Sequence, residues 1–119
     1  MAANPILCSP ELNLSTEKKT EETVVRASGR ITSATSDLLQ KTIRGLMSEG
    51  RRIVLDLADV HYIDSSGIGA MVSVYMSASR AQCALNIVNA QPRIRDLFEI
   101  TRLTAVFESH GGYRGLTTD

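Results

Sequence analysis

Asp64-Ser65-Ser66-Gly67 is the stretch whose residue types could do chemistry. It lies between an extended apolar run, Ile53-Val54-Leu55-Asp56-Leu57, and a pattern with helical spacing that continues to Arg80. The chain changes period here, and a helix that starts at such a junction exposes backbone N–H groups with no partner inside the helix. Ser and Asp are preferred N-cap residues, and most strings of this kind only cap. This one is longer than a cap requires. One residue caps, and a neighbouring serine stays free near the positive end of the helix. Gly67 and Gly69 remove side-chain bulk from the first turn, at roughly 0.5–1 kcal/mol each relative to alanine. Close approach of another backbone, or of a partner surface, would offset that loss.

Three chemistries are disfavoured. A serine nucleophile needs a base beside it, the only histidines are His61 and His110, and the G-x-S-x-G elbow is absent. Gly67-Ile68-Gly69 lacks the third glycine of a dinucleotide loop, and no G-x-x-x-x-G-K-S/T string exists. Asp56, Asp59 and Asp64 are too dispersed to make a metal site by spacing. What remains is a serine that is acted upon. A phosphoryl group on Ser66 would add about −1.5 to −2 charges and oxygens that can meet N–H groups at the helix start.

The elements that must position this stretch follow from periodicity. The 119-residue chain is the size of one domain, and 43% of it is hydrophobic, with no Trp and only five Phe or Tyr, so the core is aliphatic. Lys plus Arg equals Asp plus Glu, 13 each, which leaves no electrostatic footprint for nucleic acid or anionic lipid. Cys8 and Cys83 form no C-x-x-C and read as reduced thiols of a cytoplasmic protein. No apolar run approaches the length of about 18 residues that a membrane helix needs, and the N-terminus has no signal-peptide pattern.

Residues 1–10 read as a flexible lead-in. Leu12–Ser15 is expected to be a first strand, Glu17–Glu22 a solvated hairpin connection, and Thr23–Ser28 a second strand ending at Gly29. Leu38, Leu39, Thr42, Ile43, Leu46 and Met47 make one buried stripe of a helix that starts near Asp37 and is closed by Gly50. Ile53–Leu57 has the continuous aliphatic character of a central strand covered on both faces. A second helix is expected from about Ser66 to Arg80, a strand at Ala84–Val88, and a third helix opened by Pro92 with Ile94, Leu97, Phe98 and Thr101 inward. Leu103, Val106 and Phe107 suggest a last short strand. The order β-β-α-β-α-β-α-β predicts an α/β domain over residues 11–110, with helices packed on a mixed sheet and a Gly-rich tail at 111–119.

At Ile53–Met71, which reads I-V-L-D-L-A-D-V-H-Y-I-D-S-S-G-I-G-A-M, and again at Leu85–Leu103, the sequence resembles STAS domains of the bacterial anti-sigma factor antagonist type. The resemblance extends from Val24 to Phe107. It implies a regulatory binding protein rather than an enzyme, with no cofactor of its own. The implied partner is an anti-sigma factor with a GHKL-type serine-kinase fold. This partner is bound by the unphosphorylated antagonist and released on phosphorylation, and a PP2C-like phosphatase resets the switch. The phosphorylated position corresponds to Ser66. Asp64, Ser65, Gly67, Ile68 and Gly69 match the partner-facing helix start. ATP and Mg²⁺ would belong to the kinase.

One departure concerns an acidic string, G-E-I/L-D, that many members carry after the second strand. Here it reads Gly29-Arg30-Ile31-Thr32. Arg30 and Thr32 are expected to line the same surface as Ser66, because both junctions lead a strand into a helix. Two other roles are compatible with the same resemblance: a non-switching STAS scaffold in a sensory complex, and a small STAS subunit of a lipid-trafficking ABC transporter.

Overall fold

The computed structural model describes residues 6–8 and 11–101. Its elements are β1 (Ile6–Cys8), β2 (Leu12–Lys18), β3 (Glu22–Ile31), α1 (Ser36–Met47), β4 (Arg52–Ile63), α2 (Ser65–Arg80), β5 (Leu85–Val88) and α3 (Pro92–Ile100). The strands form one sheet in the order β1-β2-β3-β4-β5. β1 and β2 pair antiparallel, as do β2 and β3, whereas β3, β4 and β5 run parallel. The expected mixed sheet and element order are therefore observed as far as α3. The expected last strand at Leu103, Val106 and Phe107 and the tail at 111–119 lie outside the described residues.

Several boundaries differ from expectation. Ile6–Cys8, inside the segment read as a lead-in, is an edge strand. β2 continues to Lys18, so the hairpin turn is only Lys19-Thr20-Glu21, closed by Lys19 N–H donating to Glu22 O at 2.8 Å. β3 runs through Gly29 to Ile31, and β4 runs through Ala58–Tyr62 to Ile63. His61 and Tyr62 therefore lie on a strand, both exposed. Thr101 is exposed, not inward. Its hydroxyl donates to Leu97 O at 2.8 Å beyond the end of α3.

Gly29 explains why β3 does not stop there. Its φ is +118°, a conformation L-residues rarely adopt, and a Cβ would strike the Glu11 carbonyl oxygen. That same oxygen accepts from Arg30 N–H at 2.9 Å. The β3–β4 register shifts between Arg26 and Ser28 and again between Gly29 and Arg30. These irregularities let a long strand bend without losing its neighbour.

The β3–α1–β4 and β4–α2–β5 units are parallel crossovers, and right-handed connections place both helices on one face of the sheet. α1 and α2 pack together there, with Arg44 Nη2 donating to Ser73 Oγ at 2.8 Å. α3 packs against β4, and its Ile94 and Phe98 are buried. Ile53, Leu55, Leu57, Val25, Ile31, Leu39, Ile43, Met71 and Val74 belong to the same core. The central strand character read from Ile53–Leu57 is observed, with only Asp56 half-buried and bonded to Ala58 N–H at 2.9 Å.

Thr23 is a weak point in that core. It is 1% exposed, and its Oγ1 has no hydrogen-bond partner among the described residues. Removing an unsatisfied hydroxyl while keeping the shape relieves its desolvation penalty. Thr23→Val is therefore expected to be neutral or up to ~1 kcal/mol more stable. The urea midpoint at unchanged slope measures this, and a loss above that size would show that the hydroxyl is satisfied.

Candidate functional site

The carboxyl ends of β3 and β4 lie side by side, with Ile31 opposite Ile63. The chain leaves β3 for α1 and β4 for α2 at this one end of the sheet, as the two strand-to-helix junctions predict. Asp64 N–H donates to Ile31 O at 3.2 Å, tying the start of α2 to the end of β3.

Asp64 caps α2. Its backbone is extended (φ −99°, ψ −174°), and its Oδ1 accepts from Gly67 N–H at 2.8 Å. Four N–H groups at a helix start have no intrahelical acceptor. Here Asp64 and Gly67 have theirs satisfied. The N–H groups of Ser65 and Ser66 have no acceptor among the described residues. Both serine side chains are exposed and neither caps. The ambiguity between Asp and Ser as cap is thus resolved in favour of Asp64, and neither serine hydroxyl has a partner among the described residues.

The two glycines do different things. Gly67 is buried, and a Cβ there would be driven into the Ile31 carbonyl oxygen and to 2.9 Å from Ile63 Cγ2. Its missing side chain is required by internal packing. Gly69 is exposed, and a Cβ there would meet nothing within 4 Å. With Ser65, half-buried Val72 and exposed Met76, Gly69 lies on one outward stripe at spacings of four, three and four. No neighbour among the described residues requires glycine at position 69.

A model of the STAS domain matches residues 13–113. The chain belongs to the STAS domain family. An anti-sigma-B factor antagonist of Listeria monocytogenes is 30% identical to this STAS domain over 93 residues, which cover 77% of this chain and 82% of that protein. Among solved structures, an anti-sigma factor antagonist from Mycobacterium paratuberculosis superimposes with a TM-score of 0.72 at 22% identity, covering 92% of both chains. The anti-sigma factor antagonist SpoIIAA in its unphosphorylated form gives 0.67 at 18% identity, covering 88% of this chain and 89% of that one. These likenesses establish the fold, and the family membership agrees with a regulatory binding module rather than an enzyme. No helix among the described residues is long and apolar enough to cross a membrane, and no group of three or more metal-ligating side chains occurs among them.

Within this STAS domain the residues singled out from sequence divide into an exposed and an internal set. Arg30, Ser65, Ser66 and Gly69 are exposed, Ile68 is half-buried against the core, and Asp64 is half-buried and engaged in the cap. Two expectations are corrected. Gly67 is buried against Ile31, so it offers no surface to a partner. Thr32 is only 7% exposed, so it does not line the surface around Ser66. Its Oγ1 accepts from Ala34 N–H at 3.2 Å, its N–H donates to Thr35 Oγ1 at 2.9 Å, and its carbonyl accepts from Ser36 N–H at 2.8 Å. Thr32 thus builds the turn into α1. An aspartate at the same place could accept from the same N–H, because Asx and Ser/Thr turns share that geometry.

One residue at this end escaped sequence reasoning. Tyr62 is 43% exposed and pairs with Arg30 across β3 and β4, with the Arg30 Cζ 4.5 Å from its ring centroid. An aromatic two residues before the D-S-S-G string was the available signal for it. Further along α2, Met76 and Tyr75 both read from sequence as core or helix packing; Tyr75 is buried, whereas Met76 is 38% exposed. Far from this end, at the C-terminal end of α2, burial pushes the Cys83 thiol pKa up, which makes it a poor nucleophile.

Asp64→Ala removes a cap whose acceptor is already ordered, and is expected to cost about 1 kcal/mol of stability. Asp64→Asn should keep most of it. Equal losses for the two variants in chemical denaturation would mean that the charge at the helix start matters more than the hydrogen bond.

Proposed function

We propose that this STAS domain is an anti-sigma factor antagonist that binds an anti-sigma factor through the N-terminal end of α2 and lets it go when Ser66 is phosphorylated. The observation that carries the reading is Ser66 itself. It has an exposed hydroxyl on a helix already capped by Asp64, and among the described residues neither that hydroxyl nor the N–H groups of Ser65 and Ser66 have a partner. Relatives named anti-sigma-B factor antagonists support the general role.

The partner in this reading has a GHKL-type serine-kinase fold. The serine oxygen forms a bond to the γ-phosphorus of ATP, the bond from that phosphorus to the β-γ bridging oxygen breaks, ADP leaves, and the hydroxyl proton passes to a base of the kinase. The domain contributes no catalytic group and contains no nucleotide loop. Its part is to present the acceptor on a rigid helix end. The added charge meets the positive end of α2 and the two free N–H groups, so the phosphorylated domain stays folded. The same charge and bulk stand where the partner must approach Gly69 closely. A PP2C-like phosphatase restores the binding form.

The test is to incubate the full chain with each kinase-like anti-sigma factor encoded beside its gene and Mg-ATP, then map the modified residue by mass spectrometry. Stoichiometric phosphate on Ser66 supports the switch. Binding without modification supports a non-switching scaffold instead.

A further inference from the structure

Thr35 stands at the N-cap position of α1, where a threonine hydroxyl ordinarily accepts from an N–H of the first helical turn. Its hydroxyl makes no such bond. The residue is 1% exposed, and Oγ1 is turned back toward the end of β3. It accepts from Thr32 N–H at 2.9 Å and donates to Arg30 O at 2.9 Å. The Thr32 N–H belongs to the same planar peptide group as the Ile31 carbonyl. That carbonyl accepts from Asp64 N–H at 3.2 Å, and a Cβ on Gly67 would enter its oxygen. One rigid group therefore has the Thr35 hydroxyl at one end and the start of α2 at the other. Ser66 lies between Asp64 and Gly67, the two residues that rest on this carbonyl. Ile31 opposite Ile63 is the last paired position of β3 and β4, so side chains take over the support of this peptide where the ladder ends. The Thr32 hydroxyl is engaged elsewhere, with Ala34 N–H at 3.2 Å and Glu11 Oε1 at 3.3 Å.

We infer that Thr35 is a positioning residue for the acceptor serine: its buried hydroxyl fixes the Ile31–Thr32 peptide, and that peptide sets the first turn of α2 on which Ser66 is presented. This rests on the proposed function above and names what aims its acceptor. The bonds run in series from Asp64 N–H to Ile31 O, and from Thr32 N–H through Thr35 Oγ1 to Arg30 O, and such bonds polarise one another. Arg30 is itself held, because its N–H donates to Glu11 O at 2.9 Å. Without the Thr35 hydroxyl, the Thr32 N–H and Arg30 O lose this buried partner, which is costly unless the chain moves. Any rotation that brings the Thr32 N–H to a new acceptor carries the Ile31 carbonyl with it, because both lie in one plane. Asp64 N–H then loses its acceptor and Gly67 its seat. The effect reaches Ser66 from a side chain that is itself buried in another helix start.

The closing experiment compares three variants of the full unphosphorylated chain. Thr35→Val keeps the shape and lacks the hydroxyl, and Thr35→Ser keeps the hydroxyl. Ile43→Val, on the buried face of α1, lowers stability with the hydrogen bonds of the junction intact. Amide exchange is read by NMR without a partner, relative to Leu55 in the middle of β4. Thr35→Val is expected to speed exchange at Asp64 about tenfold or more, while Thr35→Ser and Ile43→Val stay within about threefold of wild type. With the adjacent kinase-like anti-sigma factor and Mg-ATP, Thr35→Val is expected to lower kcat for Ser66 about tenfold and to change KM less than about threefold. Thr35→Ser should restore kcat. Unchanged exchange at Asp64 in Thr35→Val overturns the assignment. So does a kcat for Thr35→Val within about threefold of wild type, or one lowered equally by Ile43→Val, which would reduce the effect to lost stability. In each of these cases wild type is phosphorylated and the switch reading stands. If wild type is not phosphorylated at Ser66, both fall. Where Thr35→Val does not fold, wild type supplies the test. One opening frees both ends of the peptide, so the Thr32 and Asp64 amides are expected to have protection factors within about tenfold of each other, and a larger difference overturns the link.

Discussion

Gly67→Ala is expected to destabilise the domain by about 3 kcal/mol, while Gly69→Ala, two residues on, is expected to stabilise it by roughly 0.5–1 kcal/mol. Both changes replace glycine with the best helix former, so propensity alone predicts the same gain at each. The environments differ. At Gly67 the new Cβ would enter the Ile31 carbonyl oxygen and sit 2.9 Å from the Ile31 carbonyl carbon and from Ile63 Cγ2. Two of those three atoms are backbone, fixed by the β3–β4 ladder and by Asp64 N–H on that same carbonyl. The helix must move off the sheet or lose that bond. At Gly69 the Cβ would face open space. Urea denaturation of the two variants measures the contrast. A Gly67→Ala loss below about 1 kcal/mol would mean that α2 can slide without penalty. If Gly69→Ala keeps its added stability but binds the anti-sigma factor less well, the glycine is kept for close approach of the partner.

The same site shows what was legible in the sequence. The stripe Leu38–Met47, the buried run Ile53–Leu57 and the proline at the start of α3 obey single-period rules, and each element appears where those rules place it. The strand ends do not obey them. In β4 beyond Leu57 the buried residues are Val60 and Ile63, a spacing of three in a strand. Strict alternation fails there because the paired strand is irregular at Gly29. The positive φ that allows this depends on a contact with Glu11, eighteen residues earlier in the chain. No local pattern encodes such a contact, and Gly29 read as a strand terminator.

The candidate site was partly legible for the same reason. D-S-S-G announces a helix start, but the choice among three possible caps depends on backbone geometry at Asp64. Gly67 and Gly69 look equivalent in the string, and only the position of Ile31 separates them. Thr32 and Arg30, adjacent to Ile31 on either side, point to different fates: Thr32 is turned inward into the α1 turn, and Arg30 outward onto Tyr62. The strand pairing Arg30↔Tyr62 and Ile31↔Ile63 is long-range, so the Arg30–Tyr62 pair could not be read before the sheet was known.

Phosphorylation of Ser66 is expected to weaken binding to the anti-sigma factor at least about 100-fold, a change worth about 2.8 kcal/mol. The charge and three oxygens of a phosphate on the exposed first turn of α2 must be either desolvated or kept wet at the centre of the contact, and both outcomes oppose close packing on Gly69. Ser66→Ala separates this effect from folding. Because Asp64 caps α2 and the Ser66 side chain is exposed, losing the hydroxyl should change stability by no more than about 0.5 kcal/mol and leave binding intact. Ser66→Asp carries one charge in place of nearly two and should fall between the two forms. Ser65→Ala should still be phosphorylated. The second ionisation of a phosphate lies near pH 6. Below it the group carries about one charge and above it nearly two, so the loss of affinity should be smaller at pH 5.5 than at pH 7.5. Calorimetry on the phosphorylated and unmodified chains at both pH values measures this. Equal affinities for the two forms at pH 7.5 would remove Ser66 as the switch.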